Sequence, residues 1–123
     1  MISEETVLDF AGSLFKSVWA LELLLVLKRD PARVWQAAEL IRELRSSQVV
    51  VTDALANLLA AGLIVEHETG RYRYHPVSSE IDGLVSELQK VYAVKPAAVI
   101  RQIVTTPNRK LQQLSNAFRF KND

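Results

Sequence analysis

The spacing of apolar residues changes at Gly62, and that change constrains the fold more than any other feature. Before it, Val51, Ala54, Leu55, Leu58 and Leu59 recur three and four residues apart, one face of a helix running from about Gln48 to Ala61. After it, Leu63 to His67 and Arg71 to His75 alternate and are rich in β-formers, with Gly70 between them. Alternation broken by a turn residue predicts a hairpin. Gly62 suits the position just past a helix end, where a left-handed backbone costs little without a Cβ. Ser47 suits the N-cap of the same helix.

The rest of the chain reads as helix. Ser3-Glu4-Glu5-Thr6 resembles a helix start, and Val7, Leu8, Phe10, Ala11, Leu14, Phe15, Val18 and Trp19 follow at helical spacing. The pattern stays nearly continuous through Leu27, so one long helix is expected over residues 1–30, stopped at Asp30-Pro31. A second helix is expected from about Val34 to Leu44, with Val34, Ala37, Ala38, Ile41 and Leu44 as its stripe and Ser46-Ser47 as its break. Beyond Pro76, Ser79 and Asp82 look like a capping pair for a helix to about Val94. Pro96 opens a short helix to about Val104, and Thr106-Pro107 opens a last one. The expected fold is mainly α with a small β-hairpin, in a single domain: residues 1–30, then 34–76, then C-terminal helices over 78–123.

Composition narrows the class. Hydrophobic residues make up 49% of the 123, enough for a core without staples, and the absence of cysteine removes disulfides, thiolate zinc sites and cysteine nucleophiles. The N-terminus shows no signal-peptide pattern, and the most apolar stretch, Leu21 to Leu27, contains Glu22 and ends at Lys28-Arg29. A spanning helix needs about 20 apolar residues, so no membrane is expected and a cytoplasmic location is. Charge is uneven. Residues 1 to 88 hold 8 Lys/Arg and 13 Asp/Glu, net −5; residues 89 to 123 hold 7 Lys/Arg and one Asp, net +6. Such a basic end either binds nucleic acid or an acidic partner, or lies on the acidic body of its own or a second chain.

No chemistry-bearing motif is present. There is no HExxH, GxSxG, GxGxxG or phosphate-binding glycine loop. His67 and His75 fall on the hairpin, expected on opposite faces, and Glu39 with Glu43 reads as a solvated face beside Arg42. No catalytic residue, metal ligand or cofactor is expected, and the chain is not read as an enzyme.

The text AAELIRELRSSQVVVTDALANLLAAGLIV, Ala37 to Val65, followed by EHETGRYRYHP, resembles the winged helix-turn-helix transcriptional regulators of bacteria, of the broad MarR and ArsR type. The resemblance covers about residues 34 to 76. It implies a winged helix-turn-helix with extra N- and C-terminal helices, the helix after the turn lying in the major groove of double-stranded DNA. It further implies that Ser47, Gln48, Val49, Val50, Thr52 and Asn57 face the groove, with Arg45 in the turn and Arg71 and Arg73 of the wing on phosphates. The chain departs from a DNA reader in one respect: no Arg or Lys lies between Gln48 and Ala61, and Asp53 stands where phosphates would be near. A two-residue Thr69-Gly70 loop would pair Glu68 with Arg71 and Glu66 with Arg73, turning Val65, His67, Tyr72 and Tyr74 toward the core. Lys28, Arg29 and Arg33 would form a basic rim. A protein-interaction module that keeps the scaffold without groove reading is the alternative.

The first helix is apolar nearly all round, which calls for cover on several sides. Together with the apolar C-terminal segment it predicts a homodimer, with Trp19, Leu23, Val26, Tyr92, Leu111, Leu114 and Phe118 at the interface. No residue set points to a small-molecule effector.

Overall fold

The computed structural model describes residues 2–105. The order is α1 (Glu4–Leu14), α2 (Val18–Arg29), β1 (Trp35–Gln36), α3 (Ala37–Leu44), α4 (Gln48–Ala60), β2 (Ile64–Glu66), β3 (Arg71–Tyr74) and α5 (Ser79–Val94). A further helical stretch follows over residues 96–105. The protein is mainly helical, with one small antiparallel sheet in the order β1-β3-β2.

The N-terminal helix is two helices. α1 begins where the Ser3 hydroxyl accepts the Thr6 N–H, and it ends at Phe15, whose N–H reaches the Ala11 carbonyl. Ser17 is extended (φ −155°, ψ 160°) and its hydroxyl accepts the Ala20 N–H, so a new helix starts at Val18. The axes of α1 and α2 differ by 107°. The expectation of one continuous helix fails because both helices bury apolar residues in one core, so the apolar pattern runs on across the break.

Helix α2 is the centre of the molecule. Leu21, Leu23, Leu24 and Leu27 are all at 0% exposure. They pack against Val51, Ala54, Leu55 and Leu58 on the inward face of α4, and against the sheet. α1 lies against α5, with Glu4 and Lys95 paired at 3.0 Å across their ends. Val85 and Leu88 of α5, with Val99 and Ile103 beyond it, complete the core. Complete burial of a leucine contributes about 1.5–3 kcal/mol, so the four on α2 are a principal source of stability.

One strand, one helix start and one cap differ from the sequence reading. Trp35 and Gln36 are a short strand paired with Tyr72 and Arg71, and α3 starts only at Ala37, where Glu39 accepts the Gln36 N–H at 2.9 Å. α3 stops at Arg45, which takes a left-handed backbone (φ 52°), and the Ser46 N–H returns to the Ile41 carbonyl. The cap of α5 is Ser78, whose hydroxyl accepts the Ile81 N–H, and not Ser79. Asp82 instead accepts a hydrogen bond from the Tyr74 hydroxyl at 2.5 Å.

The signals around α4 behave as read. The Ser47 hydroxyl accepts the Val50 N–H at 3.2 Å. At the other end Gly62 has φ +74°, its N–H bonds the Leu59 carbonyl and the Leu63 N–H bonds the Leu58 carbonyl. This paired closure satisfies carbonyls that would otherwise lack donors. A Cβ on Gly62 would stand 2.7 Å from Val77 Cγ1, so the site excludes side chains on two counts.

Candidate nucleic-acid interface

The hairpin register is offset by one residue from the sequence reading. Ile64 pairs with Tyr74, Val65 with Arg73 and Glu66 with Tyr72. The His67 N–H bonds the Arg71 carbonyl, and the Arg71 N–H bonds the Glu68 carbonyl. The loop is therefore three residues, Glu68-Thr69-Gly70, with Gly70 at φ +87°. A left-handed glycine closing a three-residue loop is a common hairpin solution, and here the Glu66 carboxylate supports it by accepting the Gly70 N–H at 2.9 Å.

A one-residue offset exchanges the faces of one strand relative to the other. Ile64 and Tyr74 are buried, and Glu66 shares their face with Tyr72. Burial, then the charge of Glu66, raises the Tyr72 phenol above its ordinary value. Val65 and His67, expected toward the core, lie on the outer face with Arg71 and Arg73. The Arg73 Nε donates to His67 Nε2 at 2.9 Å. The expected pairs of Glu66 with Arg73 and Glu68 with Arg71 are absent, and neither arginine has a carboxylate partner among the described residues. His67 and His75 are both exposed, at opposite ends of the hairpin, and His75 lies just beyond β3. Among the described residues, no group of three or more His, Cys, Asp and Glu is placed to hold a metal ion.

Helix α4 presents Gln48, Val49, Thr52, Asp53 and Ala56 outward, with Val49 70% exposed and Val50 half-buried. The hydroxyl of Ser47 serves the helix cap. Arg45 is exposed in the turn.

Asn57 leaves the set. It is 6% exposed and faces inward. Its Oδ1 accepts the Lys16 N–H at 2.8 Å, and its Nδ2 donates to the Leu14 carbonyl at 2.8 Å. Those are the backbone groups left open where α1 turns into α2. A polar residue on the helix after a turn suggested a base contact; its partners lie more than forty residues earlier, where no local pattern exposes them.

The same contact brings in a cation that the sequence reading overlooked. A groove of about 440 Å³ separates the α1–α2 corner from α4, with Lys16 and Trp19 on one wall and Val50, Asp53 and Ala56 on the other. Lys16 therefore stands across from the cation-free helix.

The expected basic rim is largely neutralised. Arg29 bonds Glu43 at 2.7 Å, and Arg33 bonds Glu39 at 3.1 Å while stacking on the Trp35 ring at 3.5 Å. Lys28 lies 5.8 Å from the Tyr74 ring centroid. The Gln36 N–H, with Arg33 beside it, holds the Glu39 carboxyl below its ordinary value.

Of the residues expected at a dimer interface, Leu23 is buried in its own chain and has no surface to share. Trp19, 42% exposed, and half-buried Val26 line a second groove of about 490 Å³ between α2 and α3, together with Leu44. Tyr92 is half-buried, and its hydroxyl donates to Glu22. Burial first, then Glu22, pushes the Tyr92 phenol up to about 12. Leu111, Leu114 and Phe118 lie outside the described residues, as does the helix expected from Thr106-Pro107. Among the described residues, no single helix is long and apolar enough to cross a membrane.

No protein-family model, no curated protein and no solved structure matches this chain.

Proposed function

We propose that this chain is a homodimeric, DNA-binding transcriptional regulator of the winged helix-turn-helix kind, with α4 in the major groove and the β2–β3 hairpin on the flanking phosphates. The observation that carries this reading is the hairpin register. It leaves Arg71 and Arg73 on the outer face without a carboxylate partner among the described residues, directly after a helix whose N-terminal turns are exposed. Gln48 and Thr52 supply hydrogen-bonding side chains for base edges, and Val49 supplies a methyl surface for thymine. Arg45 adds a cation at the turn. The exposed Trp19 and the half-buried Val26 supply the start of a two-fold interface.

Fluorescence polarisation against genomic fragments at two salt concentrations tests the proposal. Binding is expected to weaken steeply with salt, because each neutralised phosphate releases counterions. Arg71→Glu and Arg73→Glu are expected to weaken every sequence about equally. Gln48→Ala is expected to change preference at particular base pairs, by about 1–3 kcal/mol where a bidentate contact is lost. Asp53→Arg is expected to raise affinity for all sequences. Absence of binding at low salt, in the wild type and in Asp53→Arg alike, would sink the proposal.

A second reading takes α4 as a protein-docking face, without groove reading. Asp53 and the exposed Val49 on that face favour it, as do Arg29 and Arg33 being paired with Glu43 and Glu39.

A further inference from the structure

Helix α4 carries no cation between Gln48 and Ala61 and does carry Asp53. A helix seated in the major groove is flanked by two lines of phosphates, and phosphate contacts set its register and depth. The chain after α4 offers Arg71 and Arg73. From the chain before it comes Lys16.

We infer that the α1–α2 corner is part of the nucleic-acid surface, and that Lys16 makes a phosphate contact beside α4 which the helix itself cannot make. The inference rests on the DNA-binding reading and deepens it.

Three observations support it. Lys16 is exposed, and its ammonium group makes no ion pair among the described residues. It shares a groove of about 440 Å³ with Val50, Asp53 and Ala56, so it stands at the edge of the face that would meet the duplex. Its backbone is fixed to α4 itself, because Asn57 accepts the Lys16 N–H at 2.8 Å and donates to the Leu14 carbonyl at 2.8 Å. A lysine on a free corner would spread its charge over many positions. This one is tied to the helix whose missing cation it replaces. Across the groove stands the Asp53 carboxylate, which repels a phosphate, so Lys16 is the group of favourable sign on that groove. Asn57 is the positioning residue and Lys16 the contact.

The test is a salt titration of full-length protein binding to a fluorescein-labelled, mixed-sequence DNA duplex. One lost phosphate contact lowers the slope of log affinity against log salt by about 0.9 on duplex DNA. Lys16→Gln keeps the backbone N–H that Asn57 holds, so the corner stays closed. It is expected to reduce the slope by about that amount and to weaken all sequences equally. Lys16→Arg is expected to restore the wild-type slope. Lys90→Gln, on the exposed side of α5, is expected to leave it unchanged. A wild-type slope for Lys16→Gln, in a protein that binds DNA and loses affinity on Arg71→Gln, overturns this inference alone. A wild type that shows no salt-dependent binding overturns the DNA reading and this inference with it.

Discussion

Asn57→Ala separates a structural role for this residue from a base-reading one. The substitution removes two hydrogen bonds of 2.8 Å, one that Asn57 accepts from the Lys16 N–H and one that it donates to the Leu14 carbonyl. A buried group left without its partner costs about 1–3 kcal/mol. Both backbone groups here are part-buried beside an open groove, so water recovers some of that, and about 1–1.5 kcal/mol each is the reasonable share. Alanine returns about 0.5 kcal/mol through its better helix propensity. The expected net loss is about 2 kcal/mol. In urea, with a slope of about 1–3 kcal/mol per M for a small protein, the midpoint falls by roughly 0.7–2 M. Circular dichroism at one fixed protein concentration measures it. Asn57→Asp keeps the acceptor for Lys16 but aims a carboxylate at the Leu14 carbonyl, so it is expected to be no more stable than the alanine variant. A midpoint unchanged in Asn57→Ala, with altered DNA sequence preference, would refute the reasoning and return Asn57 to the groove.

Further outcomes are expected elsewhere in the chain. Gly62→Ala is expected to lose about 1–2 kcal/mol from the left-handed backbone alone, with more from the Val77 contact; equal thermal stability would contradict the assigned closure of α4. Sedimentation velocity is expected to show a dimer that Trp19→Asp and Val26→Asp weaken, while a monomeric wild type at high micromolar concentration would count against the two-fold interface. The raised Tyr92 phenol contributes stability that is complete below its ordinary value of 10.0 and is lost as pH rises through about 12. Glu22→Gln is expected to move the tyrosinate absorbance transition downward, leaving the part due to burial; an unmoved transition would remove Glu22 as a cause.

Features encoded within a few residues were legible. Ser3 and Ser47 cap helices because a hydroxyl reaches a backbone N–H three residues on, and Gly62 ends α4 because its own φ is positive; neither depends on a distant partner. The change of period at Gly62 placed helix before hairpin for the same reason. Other features depended on which segments meet. Apolar spacing alone hid the bend at Ser17, because α1 and α2 feed one core. Trp35 and Gln36 are a strand only because Tyr72 and Arg71 lie beside them. The hairpin's existence was written in its alternation, but its register was set by the burial of Ile64 and Tyr74 and by a glycine that closes three residues instead of two. That offset decided that Val65 and His67, and not Glu66 and Glu68, share the outer face with Arg71 and Arg73. Asn57 shows the limit most clearly. Its type and spacing are those of an exposed helix residue, yet the open backbone of a corner more than forty residues away draws its amide inward. A buried polar group must find partners, and sequence spacing carries no record of partners so far along the chain.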